Sequence, residues 1–218
     1  MQLQKKLNKF STLFFYIKWY YKNINFSLNF LFFLQNKFLN FFFDKEKKVS
    51  LKDLKYFYTS EKILRKFFDL KKKHKFTNSK VFLKRKKILK KKIKKFGGAA
   101  DLNLIYNISL KTKPNTILET GVALGWSSLA FLDALNKNQK GNLISIDMPY
   151  MNAKNDNYVG LAVPKEYHDI WKLYKYPDRI ILKKILKNFV LLDLVHYDSD
   201  KSYYGRYWFY KKTTKSNN

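Results

Sequence analysis

Residues 117–128 read ILETGVALGWSS, and the reading of this stretch decides the fold. Ile117 and Leu118 are apolar and run into the acid Glu119, Gly121 and Gly125 follow, and SLAFLDAL then has the composition of a helix. A strand that stops at a carboxylate, turns on glycines and restarts as a helix is the general plan of cofactor sites in α/β folds. The spacing is E-x-G-x-x-x-G. It differs from the dinucleotide fingerprint G-x-G-x-x-G, which argues against a nicotinamide enzyme.

Working outward, the pattern alternates between strand and helix signals. AADLNLIYNISLKTK reads as a helix that stops before Pro114. Thr116–Thr120 reads as a short buried strand and Trp126–Leu135 as a helix. NLISID, residues 142–147, reads as a second strand that again ends on an acid, Asp147. EYHDIW after Pro164 suggests a short helix, and WKLYK a third strand. Asp178 is placed to cap the helix RIILKKILKNF, and residues 191–197 read as a fourth strand running into DSDKSYYGR. Strands alternating with helices predict an α/β fold with a Rossmann-like, mostly parallel, doubly wound sheet. In such a sheet Gly121 and Gly125 let backbone approach a ligand that a Cβ would push away. An acid at the end of the second strand can accept hydrogen bonds from both hydroxyls of a ribose.

ILETGVALGWSS followed by LISIDMP resembles motifs I and II of class I S-adenosylmethionine-dependent methyltransferases. The likeness is greatest to small-molecule O-methyltransferases of the catechol and caffeoyl-CoA type, and covers roughly residues 98–210. LDLVHYDSDKSY resembles the D-A-D-K-x-x-Y stretch of the cation-dependent members. The resemblance implies that Glu119, Gly121 and Gly125 shape the cofactor loop and that Ser127 contacts the methionine carboxylate. It implies that Asp147 takes the ribose hydroxyls, Asp198 ligates Mg²⁺ or Ca²⁺, and Lys201 is the general base. His196, inside the fourth strand, reads as a core or rim residue rather than a catalyst. The family continues with a helix, a fifth strand, a loop carrying further metal ligands, and two closing strands. None of these is recognisable after YWFYKKTTKSNN. The sequence therefore predicts an incomplete sheet of about four strands, an apparently truncated methyltransferase, a weak metal site and an exposed sheet edge that invites self-association or a completing partner.

The first hundred residues differ in kind. The chain of 218 residues has a formal charge of +29, and residues 1–100 hold 28 Lys and Arg against 5 Asp and Glu. Abundant Lys, Asn, Phe, Ile and Tyr throughout the chain fit a biased coding sequence, which accounts for part of that charge. Cysteine is absent, so disulfides and cysteine-ligated zinc are excluded. Residues 10–43 are rich in aromatics, but Lys18, Lys22, Asn23, Asn29, Gln35, Asn36 and Lys37 interrupt any run of about 18 apolar residues, so a membrane span is disfavoured. Amphipathic helices fit better. Ser50 with Asp53 resembles a capping box, Leu54, Phe57 and Tyr58 recur at helical spacing, and Ser60 is placed to start a second helix. In residues 71–96 lysines are punctuated by Val81, Leu83, Ile88, Leu89 and Ile93, which predicts one basic amphipathic helix. Such a helix could meet nucleic acid or an anionic membrane surface, and His74 within it reads as a surface residue. Gly97 and Gly98 mark a boundary between a basic, mainly helical extension, 1–97, and an α/β domain, 98–218.

These observations lead to one expectation and one alternative. The expectation is methyl transfer from S-adenosylmethionine to an oxygen of a small molecule, with activity limited by the missing strands. The alternative is a non-catalytic binding protein whose lysine-rich half contacts nucleic acid or anionic membrane. The expected location is the cytoplasm, with contact at the membrane periphery through residues 71–96.

Overall fold

A computed structural model describes residues 14–43, 58–70, 73–90, 100–148, 157–188 and 191–214. Strands β1 (Thr116–Thr120), β2 (Asn142–Ile146), β3 (Trp171–Tyr174) and β4 (Leu194–Tyr197) form one sheet in the order β3-β2-β1-β4, and every pairing is parallel. Ile117 stands opposite Leu143 on one side and Leu194 on the other. Successive residues of a strand face opposite sides of the sheet, and the core divides accordingly. Ile117 and Leu143 join one cluster with Leu129, Leu132 and Tyr106. Leu118, Ile144 and Ile146 join a second with Leu182, Ile185 and Phe209. The central strands are thus apolar on both faces, which is why they read as short continuous runs rather than alternating ones.

Helices cover both faces. On the first lie α5 (Leu102–Thr112) and α6 (Trp126–Asn138); on the second lie α7 (Asp178–Asn188) and α8 (Tyr203–Thr214). The doubly wound α/β architecture expected from the sequence is therefore present. Asp101 caps α5 by accepting from the Leu104 N–H at 3.0 Å. The Asp193 carboxylate accepts from the Asn115 and Thr116 N–H groups at 2.9 and 2.8 Å, tying the entries of β1 and β4 together. That leaves β4 at Leu194–Tyr197, shorter than the stretch read from Leu191. Asp178 is the first residue of α7, and its Oδ1 accepts from the Arg179 N–H at 2.7 Å.

In the N-terminal half, α1 (residues 14–22) is followed by a 3-10 turn, Ile24–Phe26, and by α2 (Ser27–Phe43). Helix α3 (Ser60–Phe68) starts where Ser60 predicts, with Thr59 as its cap. The Ser50–Asp53 box, Leu54 and Phe57 lie outside the described residues. The basic run is not one helix over its described part: only α4 (Lys80–Leu89) is α-helical, with Ser79 as its cap. Upstream, Asn107 of α5 holds the His74 backbone in both directions, accepting from its N–H at 2.9 Å and donating to its carbonyl at 2.8 Å. Phe76 is thereby seated in the core. The buried side chains of α4 are Phe82 and Leu89, whereas Leu83 and Ile88 face solvent. Phe76, Phe82 and Leu89 share the cluster of Leu102 and Trp126, so one core extends across Gly97 and Gly98, which lie outside the described residues.

Candidate functional site

The parallel strands β1, β2 and β4 all deliver their C-terminal ends to the same edge of the sheet. The β1–α6 loop crosses this edge through three backbone positions at positive φ, Ala123 at 48° and the glycines Gly121 at 83° and Gly125 at 89°. Glycine is needed at both for a second reason. A Cβ on Gly121 would overlap the Asp198 carbonyl, and one on Gly125 would stand 2.9 Å from the Gly160 Cα. Gly125 is also the N-cap of α6 and offers no side chain to its first N–H groups. They are left for other acceptors, the arrangement that suits a carboxylate or phosphate.

Glu119 is fully buried beneath the loop. Its Oε1 accepts from the Ser127 hydroxyl at 2.5 Å, and its Oε2 accepts from the hydroxyls of Ser128 at 2.6 Å and Ser145 at 2.8 Å. Trp171 Nε1 extends this network by donating to Ser145 Oγ at 2.9 Å. The carboxylate therefore pins β1, β2, β3 and the first turn of α6 to one another, and a buried polar network of this kind rigidifies when all its members are satisfied. The hydroxyl of Ser127, the residue expected to meet a methionine carboxylate, donates to Glu119. His196 Nδ1 lies 3.7 Å from Glu119 Oε1, and the ring packs against Phe131, in keeping with a rim position.

Asp147 follows β2 and reaches back over the loop, where its Oδ2 accepts from the Ala123 N–H at 2.7 Å. Burial pushes its carboxyl up to about 7, with the Glu119 charge adding to the rise. Loop N–H groups of Ala123, Val122 and Met148 oppose it. Burial likewise raises Asp178 above the ordinary aspartate range. A carboxylate has about four lone-pair sites, so one held by loop amides can still accept from a ligand's hydroxyls.

These groups border a cavity of about 500 Å³ between the loop, the end of β2, the start of α7 and the turn after β4. Asp147, Asp178, Asp198 and Asp200 all line it, as do Arg179 and Lys201. Lys201 Nζ lies 2.9 Å from Asp198 Oδ1, and both side chains open on solvent. Asp200 is held by its neighbours: Oδ1 accepts from the Ser202 N–H at 2.9 Å, and Oδ2 accepts from Asn36 Nδ2 at 2.7 Å. Among the described residues no three acidic or histidine side chains converge on one point. Mg²⁺ or Ca²⁺ takes six or more oxygens, and Asp198 with its lysine partner supplies too few of them on its own.

The sequence reading missed one wall of this cavity. Asn29, Phe32 and Asn36 of α2 line it from the N-terminal half. Asn29 Nδ2 is 3.3 Å from Met148 Sδ, Asn36 bridges to Arg179 and Asp200, and Phe26 meets Tyr176 edge-on at 5.5 Å. The signal was faint but present, because Asn29 and Asn36 are seven apart, two helical turns on one face of an otherwise aromatic segment. No helix of the described residues is long and apolar enough to cross a membrane.

A glycine turn after the first strand, an acid after the second and a four-strand parallel sheet ordered β3-β2-β1-β4 give the α/β half a Rossmann-like fold. Residues 118–216 match the family model of a methyltransferase domain. No curated protein sequence matches the chain. Three solved structures are similar at low identity, and two of them, at TM-scores of 0.51 and 0.50, show the same fold. The Bacillus cereus O-methyltransferase in complex with SAH is 12% identical with a TM-score of 0.51, over 73% of this chain and 67% of that one. TomG of Streptomyces achromogenes, an O-methyltransferase of tomaymycin synthesis in complex with SAM, is 16% identical with a TM-score of 0.50, over 65% and 62%. SAH-bound PaMTH1 of Podospora anserina is 16% identical with a TM-score of 0.47, over 64% and 57%. The matched part of this chain thus spans 57–67% of the length of these relatives.

Proposed function

We propose that the cavity at the C-terminal edge of the sheet binds S-adenosylmethionine and serves methyl transfer to an oxygen of a small molecule. The observation that carries the reading is Asp147. A half-buried carboxylate at the end of β2 is held by the Ala123 N–H across a loop that only glycines at 121 and 125 can form. The bound cofactor supplies a methyl group on a sulfonium, which moves in line to an oxygen nucleophile.

The chain's own residues then have separable tasks. Asp147 accepts from the ribose hydroxyls. Gly121 and Gly125 keep the loop flat enough for close approach, and the uncapped start of α6 faces the methionine carboxylate. The Ser127 hydroxyl can serve that carboxylate only if it leaves Glu119, so the first task of that side chain is to fix the loop. The four aspartates around the cavity favour a ligand that carries positive charge, as a sulfonium with an α-ammonium does. Lys201, beside Asp198 at the mouth, is the candidate to take the proton that the acceptor hydroxyl releases. Alignment contributes most of the rate in such a displacement, which is why the rigid Glu119 network matters for function as well as stability.

Titration of the purified chain with S-adenosylmethionine by calorimetry, together with its melting temperature, tests the reading. Saturable one-to-one binding that Asp147→Ala abolishes without loss of fold is the expected result. Unchanged affinity in that variant overturns the ribose assignment.

A further inference from the structure

Two further cavities adjoin the cofactor cleft, and their chemistry is the reverse of the cleft's. The first, of about 330 Å³, lies between α2 and α8, with Phe32, Leu39 and Trp208 as apolar lining. The second, of about 380 Å³, lies between α7 and α8 over Leu182, Leu186 and Trp208. Arg179 borders the cleft and both outer cavities, while Trp208 and Lys212 border the outer two. Together they form a trough that starts at the cleft. Its rim is cationic, with Lys211 and Lys212 on α8 and Lys183 and Lys187 on α7, and among the described residues no acidic side chain lines either outer cavity. The cleft, by contrast, is lined by four aspartates against two cations, Arg179 and Lys201.

Arg179 stands at the divide. Its side chain is only 10% exposed. The guanidinium donates to Asn36 Oδ1 at 3.1 Å, lies 4.0 Å from Asp200 and stacks over the Trp208 ring at 4.5 Å. Its charge is thus shared with Asn36 and Asp200 on the cleft side, while its flat face and Trp208 begin the apolar floor on the other.

We infer that the trough is the acceptor site of the proposed transfer, and that the acceptor is an anionic amphiphile. Its apolar body lies on Trp208, Leu182 and Leu186, and its carboxylate, sulfate or phosphate meets the lysines of α7 and α8. Its hydroxyl end reaches past Arg179 into the cleft. The charge reversal along one continuous surface carries this: an acidic cleft suits a cationic methyl donor, and a lysine-rimmed apolar trough suits an anionic partner. The inference rests on the cofactor reading given above.

Dodecanoate, used below its micelle concentration, is the probe. Calorimetry on the full chain should show one site, with dodecyltrimethylammonium at least tenfold weaker and acetate not binding. The double variant Lys183→Glu, Lys187→Glu should lose at least tenfold, and Lys183→Gln, Lys187→Gln a smaller factor, both with the melting temperature of the parent. Equal affinity for the two amphiphiles overturns the inference, as does affinity unchanged by charge reversal, which would place binding on the exposed apolar side of α1 and α2. S-adenosylmethionine is titrated alongside. Cofactor binding without dodecanoate binding overturns the trough and leaves the cofactor reading intact. Dodecanoate binding at the trough without cofactor binding overturns the acceptor role. With both bound, neither should displace the other.

Discussion

Strand β1 and helix α2 border the same cavity, yet they are held in opposite ways. Ile117, Leu118 and Glu119 are fully buried, with helices on both faces of the sheet and three serine hydroxyls on the carboxylate. On α2, Leu28, Leu31 and Phe38 remain 60–64% exposed, and the helix meets the cleft through polar contacts at Asn29 and Asn36. One wall is set by burial and the other by a few hydrogen bonds. The comparison implies that the α/β half tolerates little change at its core, whereas the α2 wall can adjust at modest cost.

Substitution at Glu119 should have the largest effect. Glu119→Ala leaves the hydroxyls of Ser127, Ser128 and Ser145 without their acceptor and opens a cavity, so a loss of about 3 kcal/mol is expected in urea unfolding. A loss below about 1 kcal/mol would show that the network is not what holds this wall. Next comes Asp147→Ala, for which cofactor affinity should fall at least about 100-fold, about 2.7 kcal/mol, with little change in unfolding free energy.

The distinction between the two walls also explains what the sequence could disclose. Residues 117–128 were legible because burial on both sheet faces demands an apolar run, and because the positive φ at 121 and 125 demands glycine; each requirement selects a residue type. Nothing comparable marks α2. Phenylalanine and leucine occupy its covered and open sides alike, so periodicity does not say which side faces the cleft. The lysine run misled for a related reason. Its helical spacing was real over Lys80–Leu89, but the upstream break is imposed by Asn107 and Asn103, side chains some thirty residues away. The bond from Ser127 to Glu119 was hidden in the same way, since it joins two residues whose partnership only the fold reveals.

The pH dependence sharpens the cofactor wall alone. The folded-state carboxyl of Asp147 sits at about 7, above the ordinary aspartate range it has when unfolded. Between those two values the folded chain binds the extra proton, so stability should fall as pH rises and level off above about pH 7. Cofactor affinity should move the other way, because the ionised carboxylate is the better acceptor for two hydroxyls. If only that form binds, affinity should drop about tenfold from pH 8 to pH 6. Calorimetric titration across this range is the check, and a flat profile in Asp147→Asn would assign the slope to this group.

The smallest effects belong to α2 and decide whether its wall is functional or only adjacent. Asn36 donates to Asp200 and accepts from Arg179, both charged, so Asn36→Ala should weaken cofactor binding about fivefold, about 1 kcal/mol. Leu31→Ser on the open side should alter neither unfolding nor affinity by more than about 0.5 kcal/mol. The pair is informative together because the two residues share a helix and differ in the side they present. Equal losses would mean that α2 acts through its own stability, since a change on the open side could reach the cleft only by loosening the helix. Loss at Asn36 alone would mean that α2 acts on the site through the face it turns to the cleft, the step from a surface helix to a working wall.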